Sequence, residues 1–134
     1  MLYCLDSNAV SDIQRKSYNV LTQLEKEIIN GNEIAICSVV YYEIVRGLKA
    51  VGAKTKLKEF LEMYEKCIHL PLDMRVIEKA IEIYLSLHKG QQIEDNDIYI
   101  AAASIVNDCV LVTANERHFS RIEGLKYVNW RNDE

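Results

Sequence analysis

Glycine and proline are scarce, with five Gly and one Pro in 134 residues. That scarcity excludes a collagenous or low-complexity chain, and 49% hydrophobic against 27% charged residues excludes an intrinsically disordered one. No uninterrupted apolar run approaches the roughly eighteen residues of a membrane helix, so no membrane association is expected. The opening Met1–Asp6 stretch has neither a basic leader nor a long apolar segment, which makes a cytoplasmic location the expectation. Cysteine is present four times, at Cys4, Cys37, Cys67 and Cys109, but never as C-x-x-C, so neither a zinc knuckle nor a dithiol redox motif is written here. Each lies in or beside an apolar run and reads as a small buried hydrophobe. An overall basic character is also missing. Sixteen Lys+Arg stand against twenty Asp+Glu, a net charge of −4, so any nucleic-acid contact has to come from a local patch.

Short apolar runs alternate with longer amphipathic stretches. Met1–Leu5, Glu33–Cys37, Cys67–Leu70, Val110–Thr113 and Lys126–Val128 suit strands buried on both faces, because they do not alternate with period two. Between them, Tyr18–Asn30, Val39–Ala50, Lys54–Lys66, Asp73 to about His88, and Asn96–Asn107 carry apolar residues at helical spacing. The pattern predicts an α/β fold of three layers, with a central, mostly parallel sheet of about five short strands covered by helices on both faces. With no repeat or composition break, residues 1–134 read as a single domain.

In such sheets chemistry gathers at the carboxyl ends of the strands. Asp6, Ser7 and Asn8 follow the first predicted strand. Ser38 follows the second, with Glu43 in the helix beyond, and Asn115 and Glu116 follow Val110–Thr113. The helix before that strand opens with Glu94-Asp95-Asn96-Asp97. Acids distant in sequence therefore converge on one rim. Carboxylates that close repel unless a cation lies among them, and a hard divalent ion such as Mg²⁺ or Mn²⁺ prefers oxygen donors. A carboxylate cluster of this kind points to phosphoryl-transfer chemistry. Structural readings stand beside it: Asp6 as a helix cap, Glu43 as a solvated flank, Asp95 and Asp97 as acids favoured at a helix start.

Four blocks resemble a PIN domain of the VapC toxin type, the ribonuclease half of toxin–antitoxin pairs. They are Leu2–Asn8, ending in Leu5-Asp6-Ser7-Asn8; Ser38–Gly47, with Glu43 five residues after the Ser and Gly47 four further on; Asp97–Ala102; and Leu111–Phe119, followed by Gly124-Leu125 and Asn129-Trp130. Together they span nearly the whole chain. The resemblance implies that Asp6, Glu43 and Asp97 are metal-binding acids. It places Asn115 where many members carry Asp, matches Asp95 to an acid found in some members only, and sets the hydroxyls of Ser38 and Thr113 along the site with Asn8 orienting Asp6. It implies a catalytic set of Asp6, Glu43, Asp97, Asn115 and Thr113, a Mg²⁺ or Mn²⁺ cofactor, RNA phosphodiester hydrolysis by an activated water, a cognate antitoxin and a homodimer.

An RNA substrate needs a positive approach. Arg46, Lys49, Lys54, Lys56 and Lys58 fall in a 13-residue window without Asp or Glu, and Arg117 and Arg121 lie close to Asn115. Of these, Arg46, Lys49 and Arg117 are the expected substrate contacts, with Ser38 and Asn8. His118 is read as structural. Phe60, Met63 and Tyr64 suggest a groove for a partner helix. Three rival readings stand beside this one. A dehalogenase-like phosphatase wants D-x-D where Asn8 stands, and a dinucleotide binder wants G-x-G-x-x-G after the first strand. A catalytically impaired PIN-like module that binds RNA or protein is favoured only by Asn115.

Overall fold

The computed structural model describes residues 1–132. Its elements run β1 (Leu2–Leu5), α1 (Ser7–Arg15), α2 (Val20–Ile29), β2 (Glu33–Cys37), α3 (Ser38–Ala50) and α4 (Lys54–Glu65). They continue β3 (Ile68–Leu70), α5 (Met74–Ser86), α6 (Asp95–Val106), β4 (Val110–Val112), α7 (Glu116–Phe119) and β5 (Lys126–Val128). The five strands form one sheet in the order β3-β2-β1-β4-β5, and every pairing is parallel. Cys4 on the central strand is in register with Ala35 on one side and Leu111 on the other, and all three are fully buried. The outer strands β3 and β5 are three residues each and more exposed, which limits the unpaired edge.

Two successive crossovers carry the chain from β1 to β2 to β3 in one direction; the next returns it past β1 to β4. With right-handed crossovers this reversal puts α5 and α6 on the opposite face from α1–α4 and gives three layers. Helix α1 packs on α2 and α3, α3 on α4, and α5 on α6. The point of reversal lies between β1 and β4, so the carboxyl ends of these two strands border a crevice where a site forms.

Two helices had no counterpart in the apolar pattern. In α1 only Ala9, Val10 and Ile13 are buried apolar positions, too few to announce a helix in a polar stretch; Asp6 caps it, and it ends at Lys16 in a left-handed conformation (φ 55°). Helix α7 is a single turn. Phe60, expected to be exposed, is 1% accessible and packs against Tyr41 and Tyr64, so it belongs to the core between α3 and α4. Cys4, Cys37 and Cys109 are buried free thiols, and Cys67 is half-buried. Beyond β5 the chain is tied back to α1. Trp130 meets the Tyr3 ring edge-on at 5.1 Å, and the Arg131 guanidinium grips buried Asp12 through bonds of 2.7 and 3.2 Å while lying over the Tyr18 ring.

Candidate active site

The arrangement begins at Asp6, the residue that follows β1 and caps α1. Its backbone N–H donates to the Val112 carbonyl, which fixes it at the β1–β4 crevice. The side chain is only 4% exposed. Its Oδ1 accepts the Ser7 N–H (2.8 Å), while Oδ2 accepts the Thr113 hydroxyl (2.8 Å) and the Asn8 amide (2.9 Å). Thr113, itself fully buried, accepts in turn from the Asn115 N–H at 3.0 Å, and the Asn8 side-chain oxygen accepts from Ala114 N–H at 3.0 Å. The Thr113–Asp6 and Ala114–Asn8 bonds join the start of α1 to the loop after β4, and the local bonds at either end tie them into one polar network. Burial pushes the Asp6 carboxyl up to about 6 against the opposing pull of the Thr113 and Ser7 bonds, and the nearby charges of Asp97 and Glu43 push the same way.

Glu43 arrives from the second turn of α3. Its Oε1 accepts the Ser7 hydroxyl at 2.6 Å, and its Oε2 accepts the Asn96 amide at 3.2 Å, which bridges α3 to the start of α6. Asp97, in the first turn of α6, lies with its Oδ2 3.5 Å from His118 Nδ1. Its carboxyl is also raised, chiefly by burial and further by Glu43 and Glu94, while His118 pulls it back down. Asn115 caps α7, and its amide nitrogen lies 2.9 Å from the same His118 Nδ1.

Asp6, Asn8, Glu43, Asp97, Thr113 and Asn115 are thus brought together. Two expected residues are not. Ser38 starts α3 with its hydroxyl donating to the Leu70 carbonyl at 3.4 Å, beside β3. Asp95 lies exposed on the side of α6 that faces α5, lining a cavity of about 220 Å³ with Ile77, Ile81 and Tyr84. Residues two apart on a helix point about 200° apart, so Asp95 and Asp97 cannot share a site. Arg46, Lys49 and Arg117 are all exposed, and Arg46 lies over the exposed Tyr42 ring at 4.8 Å, one turn from Glu43. Sequence reasoning missed Ser7 and Asn96 as Glu43 partners and read His118 as structural. The fixed offsets of Ser7 from Asp6 and of Asn96 from Asp97 were the available signal.

Asp6 and Asp97, each raised chiefly by burial and further by the charge of Glu43, stand with Glu43 among hydroxyls, amides and an imidazole, and the set presents the oxygen donors and negative charge that suit a hard divalent cation. Among the described residues no three His, Cys, Asp or Glu side chains are already gathered about one point. The donor chemistry fits such an ion, and closing the site around it requires Glu43 to leave the Ser7 hydroxyl and the Asn96 amide.

Comparison with known proteins follows the same outline. The PIN domain family model matches residues 3–125. Ribonuclease VapC2 of Rickettsia felis is 32% identical over 139 residues, covering 97% of this chain and 98% of that protein. Ribonuclease VapC1 of Methanocaldococcus jannaschii is 34% identical over 103 residues, 75% of this chain and 72% of that protein. The crystal structure of VapBC2 from Rickettsia felis, bound to a DNA fragment from their promoter, contains a chain that superimposes with a TM-score of 0.85 at 29% identity over 97% of this chain and 99% of that one.

Proposed function

The chain belongs to the PIN domain family, among its VapC ribonucleases, and on that basis we propose that it is the toxin of a toxin–antitoxin pair, an endoribonuclease that hydrolyses RNA phosphodiester bonds with Mg²⁺ or Mn²⁺. One observation carries the reading: a buried Asp6 carboxylate at the β1–β4 crevice, destabilised as an anion by burial and by Asp97 and Glu43. A structural cap would sit at the helix start without this company of acids.

Asp6, Glu43 and Asp97 would hold the cation. When bound, such an ion lowers the pKa of a coordinated water and neutralises charge on a phosphate oxygen. The chain's own groups do the rest. Asn8 and Thr113 hold Asp6 in one rotamer, Ser7 and Asn96 aim Glu43, and His118 orients Asp97. Arg46, Lys49 and Arg117 supply the positive charge that draws the RNA backbone to an otherwise acidic rim. In this reading Thr113 and Asn8 position Asp6 and make no contact with the substrate.

Two exposed apolar surfaces support protein partners. A groove of about 330 Å³ between α2 and α4, lined by Leu24, Ile28, Met63 and Ile68, suits a helix of an antitoxin, the class of partner in the VapBC complexes. Ile81, Tyr84 and Leu85 on α5 are more than half exposed and suit a homodimer contact.

The test is incubation of total RNA with purified protein in Mg²⁺ or Mn²⁺ and then in EDTA, with wild type and Asp97→Asn compared. Discrete fragments that need both the metal and Asp97 are expected. No cleavage together with no metal binding would replace this reading with that of a PIN-like binding module.

A further inference from the structure

We propose that His118 is itself a ligand: it supplies a nitrogen donor beside Asp97 and makes the site a mixed nitrogen–oxygen one that selects Mn²⁺ over Mg²⁺. The proposal rests on the metal-dependent reading above and goes beyond it by naming a donor outside the acid set and the ion it selects.

The geometry comes from the loop after β4. Thr113 anchors the loop by accepting the Asn115 N–H, and the single turn of α7 then carries His118 over the start of α6. There Nδ1 lies 2.9 Å from the Asn115 amide nitrogen and 3.5 Å from Asp97 Oδ2. With its proton on Nδ1 the ring donates toward Asp97, and with the proton on Nε2 the Nδ1 lone pair meets the Asn115 amide and can be taken over by an ion. Asp97 Oδ2 lies 3.5 Å away, and a cation between the two atoms would be shared by the imidazole and the carboxylate once the Asn115 amide lets go. Two donors each about 2.1 Å from one ion lie about 3.0–3.4 Å apart at angles of 90–109°. The observed 3.5 Å is therefore nearly the separation of two neighbouring ligands, reached without moving either backbone.

The surroundings agree. The His118 side chain is 39% exposed, so an ion reaches it from solvent, whereas Asp6 is 4% exposed. On the same turn Asn115 brings a neutral amide and Glu116 accepts from the Asn129 amide at 3.5 Å, so the imidazole is the donor that lies beside Asp97. Imidazole suits transition-metal ions, while Mg²⁺ takes oxygen donors and keeps its waters. An imidazole in the first coordination sphere thus shifts selectivity toward Mn²⁺.

The deciding experiment uses Mn²⁺ alone as the probe on the full chain, read by pulsed electron paramagnetic resonance for coupling to ligand nitrogen. Protein labelled with ¹⁵N-histidine identifies the residue type. Titration calorimetry of Mn²⁺ and Mg²⁺ follows in wild type, His118→Gln and His118→Asp. We expect nitrogen coupling in wild type that changes with the histidine label and vanishes in His118→Gln. We also expect Mn²⁺ affinity to fall about tenfold or more, the scale seen even for partners one shell removed from a metal, with Mg²⁺ affinity changed less than about twofold. His118→Asp should narrow the preference for Mn²⁺. Bound Mn²⁺ without histidine nitrogen coupling, or coupling that survives His118→Gln, overturns the proposal and leaves the acid site standing. Failure of wild type to bind Mn²⁺ while Mg²⁺ binds overturns the proposal alone, and failure to bind either ion overturns both readings. Should His118→Gln not fold, the labelled wild-type spectrum decides alone.

Discussion

Replacing Asp6 with Asn removes the most heavily buried charge of the site while keeping its shape, and the consequence for stability can be worked out. In the folded protein the Asp6 carboxyl is raised from its ordinary 3.8 to about 6. Between about pH 4 and pH 6 the unfolded chain has already lost a proton that the folded protein keeps. The folded state thus binds more protons there, and stability falls as pH rises through that window. The displacement corresponds to about 3 kcal/mol, felt in full above about pH 6. Asp6→Asn removes this cost. In exchange, the new NH₂ faces the Asn8 amide where a carboxylate oxygen accepted before, a mismatch of about 1–2 kcal/mol at every pH. The variant should therefore be less stable than wild type at pH 4 by about 1–2 kcal/mol and more stable by a similar amount at pH 8, while losing activity. Urea unfolding followed by fluorescence of the buried Trp130 across this range measures the difference. A difference that does not move with pH would refute the argument, because the mismatch is constant and only the charge titrates.

Three further outcomes are expected. Ser7→Ala, which removes the 2.6 Å bond to Glu43, should lower RNA cleavage by about 10–100-fold, from the roughly 1.5–3 kcal/mol of a hydrogen bond to a charged group, whereas Ser38→Ala should stay within about twofold of wild type in the same cleavage assay. Arg46→Gln combined with Lys49→Gln should weaken binding of single-stranded RNA to the Asp97→Asn protein and reduce the slope of log K against log salt by about 1.4. Arg131→Ala should destabilise the fold by about 3 kcal/mol in urea titration, because it strands Asp12, whose side chain is 3% exposed.

Much of the sheet was legible because parallel strands are written as short unbroken apolar runs, and Glu33–Cys37 was delimited without error. What the sequence hid was α1. Its nine residues offer a stripe of three buried apolar positions, and its stability comes from Asp6 at one end and packing on α2 and α3, neither of which is a local pattern. The direction of side chains was harder still. Asp95, Asn96 and Asp97 are adjacent in sequence, yet each takes a different surrounding: the α5 cavity, Glu43 and His118. Helical rotation of about 100° per residue separates them, but which one meets the crevice depends on how α6 sits on α5 and the sheet. The same holds for the two serines. Ser7 and Ser38 both follow a strand, and only the position of α3 decides that Glu43 reaches the first.

These placements separate one fixed acid from two adjustable ones. Asp6 is clamped by residues at positions 7, 8 and 113, and the 2.8 Å bond from Thr113 closes a span of 107 residues between the two central strands. Moving it would mean breaking the network that joins β1 to β4. Glu43 and Asp97 are half-buried on helices, and each is held by side chains, namely Ser7 and Asn96 for the one and His118 for the other. Side-chain partners exchange at little cost to the backbone, so these two carboxylates can rotate while Asp6 stays. Attraction to an entering cation, which also relieves the repulsion among the acids, supplies the force for that rotation. The proposed site therefore closes onto Asp6, and stiffening Glu43 in its present rotamer should weaken metal binding even though it stabilises the fold.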